Sequence, residues 1–168
     1  NESIDKGDKR GLLISATGTG KTYASAFGVK SIKDKIDLKK MLFITHRETI
    51  LKQAIETYKN VLGQDIKADL FSNGHHDIKD KNYIFSTVNT MNLHLKEFTR
   101  DEFDLIIVDE CHRIGKEGMY QNILNYFQPK FLLGMSATPD RTDGYDIYNF
   151  FDHNILYEIR LYLSLIHI

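Results

Sequence analysis

Across 168 residues the chain carries 22 lysines and arginines against 23 aspartates and glutamates, a formal net charge of −1. That length holds one domain with an adequate apolar core, and the balanced charge argues against a protein built to grip phosphates with a broad basic face. A single cysteine excludes an intramolecular disulfide framework and a cysteine-based zinc cluster, which suits a reducing cytosol.

Apolar runs and helical patterns alternate along the chain. Residues 11–15 read as a buried strand ending in a glycine-rich turn. Residues 21–33 follow as a helix with Tyr23, Ala24, Phe27 and Ile32 as apolar contacts, and 41–45 is the next strand. Residues 47–62 form the clearest helix: Ile50, Leu51, Ala54, Ile55, Tyr58, Val61 and Leu62 make one apolar stripe. Residues 66–72 alternate weakly as a strand before a polar turn at 73–77, and 83–87 is another short strand. Residues 103–109 have a continuous apolar middle and an acidic end, 120–127 read as helix, and 131–136 as strand. Continuous apolar strands separated by helices predict a doubly wound α/β domain, a parallel sheet covered on both faces. The longest apolar runs, such as 105–108 and 131–135, are far too short to cross a bilayer. Residues 1–10 carry neither an initiator Met nor the apolar stretch of a secretory signal, so the chain reads as a cytoplasmic fragment with no membrane partner.

Two segments carry chemistry. The first strand runs into Ala16-Thr17-Gly18-Thr19-Gly20-Lys21-Thr22. Gly18 and Gly20 permit a tight turn whose N–H groups converge on an anion at a helix N-terminus. Lys21 reaches β- and γ-phosphates, and Thr22 offers a hydroxyl to Mg²⁺. The strict phosphate-loop pattern would place Gly at 15, where this chain has Ser15. A glycine-rich β-to-α turn that merely precedes a lysine would read the same way.

The second segment, Asp109-Glu110-Cys111-His112, follows an apolar strand. Ligands of open parallel sheets collect beyond the carboxyl ends of the strands, so a carboxylate there can hold the Mg²⁺ of a nucleotide. Asp109 is assigned to the metal and Glu110 to the attacking water; a solvated acidic turn is the bland alternative. Cys111 reads as a filler of the turn, and His112 as a coupler rather than a metal ligand.

In this order the motifs resemble the first RecA-like domain of a superfamily 2 helicase or translocase of the DExH type. Residues 16–22 are similar to motif I. Phe43-Ile44-Thr45-His46-Arg47 with Leu51 resembles motif Ia, and Ser86-Thr87-Val88-Asn89-Thr90-Met91 resembles motif Ib. Asp109-Glu110-Cys111-His112 matches motif II, and Ser136-Ala137-Thr138-Pro139 matches motif III. The extension Asp140-Arg141-Thr142-Asp143-Gly144 looks most like bacterial helicases of the type III restriction enzyme Res group.

The resemblance implies a RecA-like P-loop domain over residues 1–160, truncated at both ends, with 161–168 a tail of uncertain origin. It implies ATP and Mg²⁺ as cofactors. Thr17, Gly18, Thr19, Gly20, Lys21 and Thr22 would hold the nucleotide, Thr22 and Asp109 the metal, and Lys21 and Glu110 would be catalytic. His112, Ser136 and Thr138 would couple the nucleotide to domain movement. Arg47 and Thr87 would meet the backbone of one nucleic-acid strand, DNA rather than RNA, positioning it without reading sequence. A second RecA-like domain of the same full-length chain would supply the arginine finger, so the isolated piece is expected to hydrolyse ATP very slowly. Two other classes compete: a P-loop phosphotransferase, and an interaction module keeping a P-loop fold without motor activity.

Overall fold

The computed structural model describes residues 9–15, 18–74, 77–115, 118–137, 150–151 and 155–159. Each short apolar run becomes a strand: β1 (Arg10–Ser15), β2 (Met41–Thr45), β3 (Ala68–Phe71), β4 (Tyr83–Thr87), β5 (Leu105–Val108), β6 (Phe131–Ser136) and β7 (Ile155–Ile159). They pair in one seven-stranded sheet ordered β3-β4-β2-β5-β6-β1-β7, and every described pairing is parallel.

Strand periodicity divides the core. Leu12, Ile14, Leu42, Ile44, Ile84, Ile106, Val108 and Leu132 face one side of the sheet. Their alternating neighbours Leu13, Met41, Phe43, Phe85, Leu105, Ile107, Phe131 and Leu133 face the other. Helices α1 (Gly18–Ile32) and α2 (Glu48–Leu62) cover the second face through Ala26, Val29, Leu51, Ala54 and Tyr58. Helices α3 (Val88–Leu93) and α4 (Gly118–Tyr126) cover the first through Val88, Met91, Tyr120 and Ile123. This is the RecA-like layering that the motifs implied. Among the described residues no helix is long and apolar enough to cross a membrane.

Helix α2 begins one residue after its expected start and ends at Gly63, whose φ of +123° is open to glycine alone without strain. Helix α1 departs further from expectation. It starts at Gly18 rather than at 21, and two of its expected apolar contacts point outward: Tyr23 is 43% exposed and Phe27 57%. The buried stripe is Lys21, Ser25, Ala26, Val29 and Ile32. Lys21 fixes the helix rotation by facing the sheet, and Tyr23, two residues on, lies roughly 200° around the axis. Small Ser25 and Ala26 in that stripe let α1 lie close to α2. The sequence reading also overlooked α3 and β7. Six residues of α3 carry too short a pattern to distinguish.

Gly134 in β6 marks a tight contact between sheet and chain end. A Cβ there would stand 2.3 Å from Cζ of the fully buried Phe151. Gly134→Ala is expected to lower stability by about 1–3 kcal/mol through overpacking, read as a shift of the urea midpoint. Adding Phe151→Leu should recover part of that loss.

Candidate nucleotide site

At the carboxyl edge of the sheet, β1 feeds the first turn of α1, which carries Gly18, Thr19 and Gly20 and then Lys21 and Thr22. The first four N–H groups of a helix have no intrahelical acceptor. An early start at Gly18 therefore leaves the amides of 18–21 available to an anion, and no acidic residue occupies that turn. Thr17 lies outside the described residues.

Lys21 is 7% exposed and its Nζ stands 3.5 Å from Oδ1 of Asp109, itself 4% exposed. Asp109 is held from three sides. Its N–H donates to the Ile44 carbonyl at 2.9 Å, its Oδ1 accepts the Glu110 N–H at 3.0 Å, and its Oδ2 accepts the Thr45 hydroxyl at 3.3 Å. The lysine contact is long beside the roughly 2.7–2.9 Å of a tight charge-assisted bond. The ammonium is thus near the carboxylate without being locked to it.

This donor set fits a magnesium–phosphate pair. Among the described residues no three His, Cys, Asp or Glu side chains assemble into a protein cage for a metal. Mg²⁺ does not need one: it is bound through one or two hard oxygens with water and phosphate completing the shell. The Asp109 carboxylate provides such oxygens. Thr22, half-buried in the first turn of α1, carries the hydroxyl proposed from sequence.

Glu110 leaves the strand end in a left-handed backbone, φ +52°, a conformation costing a non-glycine residue about 1–3 kcal/mol. The turn sends neighbouring carboxylates to different surroundings. Oε2 of Glu110 lies 3.2 Å from Arg113 Nε and 2.9 Å from His46 Nδ1. His112 Nδ1 stands 3.3 Å from the hydroxyl of fully buried Ser136, bringing together two of the expected coupling residues; Thr138 lies outside the described residues. Cys111 is wholly buried in the core, which agrees with its reading as filler.

Arg47 and Thr87 come to neighbouring positions because β2 and β4 pair with Thr45 opposite Thr87. Arg47 is exposed and its Nε donates to His46 Nε2 at 3.1 Å. The Thr87 hydroxyl caps α3, accepting the Thr90 N–H at 3.1 Å and donating to the Thr90 hydroxyl at 3.0 Å. Thr87 therefore has a structural duty alongside any contact with a strand.

Sequence reasoning missed the supporting groups Thr45, His46, Arg113, Ser25 and Tyr58. Ser25 donates to the Thr22 carbonyl at 2.7 Å, so the Tyr58 hydroxyl, 2.8 Å away, must be the donor to Ser25. This chain pins the end of the first turn of α1 to α2. Burial pushes the Tyr58 phenol up from 10.0, and the nearby Asp109 charge raises it further. Burial likewise pushes the Cys111 thiol up from 9.0.

Residues 1–141 match the family described as "Type III restriction enzyme, res subunit". The EcoAI type I restriction enzyme endonuclease subunit of Escherichia coli is 30% identical over 151 residues, covering 84% of this chain and 18% of its own. The ATP-dependent RNA helicase DHX58 of Mus musculus is 26% identical over 159 residues, covering 82% and 24%. The chain thus spans about a fifth to a quarter of these curated relatives. In fold it is similar to the Pyrococcus furiosus Hef helicase domain, TM-score 0.72 at 17% identity, over 94% of this chain and 37% of that one. It is also similar to the Sulfolobus solfataricus SWI2/SNF2 ATPase core in complex with dsDNA, TM-score 0.69 at 18% identity, over 83% and 30%.

Raised folded-state values favour the neutral forms of Cys111 and Tyr58. Their contribution is fully present below the unfolded values of 9.0 and 10.0 and is lost as pH rises toward the folded ones. Unfolding free energy should fall from about pH 9 upward, and Cys111→Ala should flatten the first part of that fall. Denaturant titrations at stepped pH read both effects.

Proposed function

Because this chain belongs to the type III restriction enzyme res-subunit family, as a superfamily 2 DExH-type helicase domain, we propose that it is the ATP-binding half of a DNA helicase or translocase. Its ATP-binding domain is assigned to residues 1–160, with 161–168 outside it. The observation that carries the reading is the 3.5 Å approach of Lys21 Nζ to Asp109 Oδ1, which joins two segments far apart in sequence at the edge where parallel sheets bind ligands.

In this proposal the amides of Thr17, Gly18, Thr19 and Gly20 cradle the phosphates and Lys21 moves from Asp109 onto the β- and γ-phosphate oxygens. Thr22 and Asp109 hold Mg²⁺, which when bound neutralises charge on the transferred phosphoryl group. Glu110 orients and deprotonates the attacking water. His112, Ser136 and Thr138 pass the nucleotide state to β6 and the segment after it. Arg47 and Thr87 contact one strand through its phosphates. DNA is preferred to RNA because the residues after motif III resemble restriction-type helicases and because EcoAI is a restriction endonuclease subunit.

A second RecA-like domain closes over the site and supplies the arginine finger, worth roughly 10³–10⁵ in rate in other P-loop NTPases. The domain alone should therefore bind nucleotide and turn it over very slowly.

Binding of a fluorescent ATP analogue, with and without Mg²⁺, tests the reading. Wild type should bind in a Mg²⁺-dependent manner, and Lys21→Ala should weaken binding roughly tenfold to a hundredfold, the worth of a lost charged hydrogen bond. Lys21→Ala also strands the buried Asp109 charge, so Glu110→Gln is the companion variant: it should bind like wild type and lose hydrolysis once the second domain is present. Absence of Mg²⁺-dependent binding would favour an interaction module, and phosphorylation of an added nucleoside a phosphotransferase.

A further inference from the structure

We infer that His46 is a positioning residue linking strand contact at Arg47 to the carboxylate of Glu110, an inference resting on the roles proposed above for those two residues. His46 leaves the end of β2, and β2 pairs directly with β5, Ile44 opposite Val108. That register carries residues 45 and 46 alongside 109 and 110. The His46 and Glu110 side chains are similarly enclosed, 18% and 19% exposed, with Nδ1 2.9 Å from Oε2.

The ring's two nitrogens have different neighbours. Arg47 Nε donates to Nε2 at 3.1 Å, and a guanidinium only donates. Nε2 is therefore the acceptor, and the proton of the neutral ring sits on Nδ1, the nitrogen facing Glu110. Yet Nδ1 is buried and makes no hydrogen bond among the described residues; its N–H is close to the carboxylate but misaligned. A buried donor left unsatisfied so near a carboxylate oxygen is a contact awaiting a small rotation. Arg47, through Nε2, holds the ring off line.

A strand phosphate is a stronger acceptor for Arg47 than an imidazole nitrogen. When the phosphate takes the guanidinium, the ring is released to rotate and its Nδ1–H donates to Oε2. Arg113, already donating to Oε2 from three residues along the chain, remains as the second donor. Two donors on one oxygen fix the carboxylate plane and leave the other oxygen to face the water. Strand binding is thereby read at Glu110 without any movement of the sheet.

The test uses the chain together with its second RecA-like domain, measuring ATP hydrolysis with and without a single-stranded oligodeoxynucleotide. His46→Ala should lower strand-stimulated kcat on the order of tenfold, the worth of one hydrogen bond to a charged group, with KM for ATP and oligonucleotide affinity held within about twofold of wild type by the same reasoning. His46→Asn, whose amide nitrogen sits near the position of Nδ1, should regain most of the stimulation. Equal stimulated kcat in wild type and His46→Ala would overturn the inference, as would a parallel loss of kcat and ATP affinity in both variants. Absence of strand stimulation in wild type, or full hydrolysis by Glu110→Gln, would instead bring down the underlying functional reading and the inference with it.

Discussion

The strand order places β6 between β1 and β5, so the loop after β1 and the carboxylates after β5 are two strand spacings apart. At about 4.8 Å per spacing that gap is near 10 Å, too wide for short side chains to close. A lysine at the start of α1 closes it. The buried stripe of α1, the small residues that bring α1 near α2, and the Tyr58–Ser25–Thr22 chain all serve to aim that one side chain. The resulting buried pair is a poor source of stability, because desolvating two charges offsets most of their attraction. Its value is that two charges are already out of water where a phosphate and its metal are proposed to sit.

Asp109 and Glu110 show how one turn differentiates adjacent identical functional groups. Asp109 continues the β5 direction beneath α1, where Thr45, Lys21 and the Glu110 amide surround it. Glu110 takes the left-handed backbone and emerges toward the end of β2. Side-chain contacts then join three strand ends in sequence: 45 and 46 from β2 reach 109 and 110, and 112 reaches 136 at the end of β6. These strand ends are therefore joined by polar side-chain contacts, two of them hydrogen bonds, in addition to the apolar core.

Much of the sheet was legible because buried parallel strands are continuous apolar runs bounded by polar turns; 41–45, 83–87 and 131–136 were read with their observed ends. The face of α1 was not, because hydropathy ranks Tyr23 and Phe27 as core residues while the true stripe includes a lysine and a serine. Lys21, Asp109 and Glu110 stood out by residue type and by the strands before them. His46, Arg113 and Tyr58 did not, because their partners come from other elements. Nothing in a one-dimensional pattern says that β2 neighbours β5, and only that adjacency makes His46 a companion of Glu110.

Adjacency also orders the proposed functions along one edge. From β4 to β2, β5, β6 and β1 the strand ends present Thr87, then Arg47 with His46, then Asp109 with Glu110, then Ser136, then the first turn of α1. Under the proposed reading this is a row running from strand contact through water activation and coupling to phosphate. Neighbouring roles sit one strand apart, close enough for direct side-chain contact. In that row the proposed strand contact and phosphate site are the most widely separated, and Glu110 lies between them. Under the same reading, that order suits a motor whose fuel consumption depends on track engagement, because it would set hydrolysis between the two binding events.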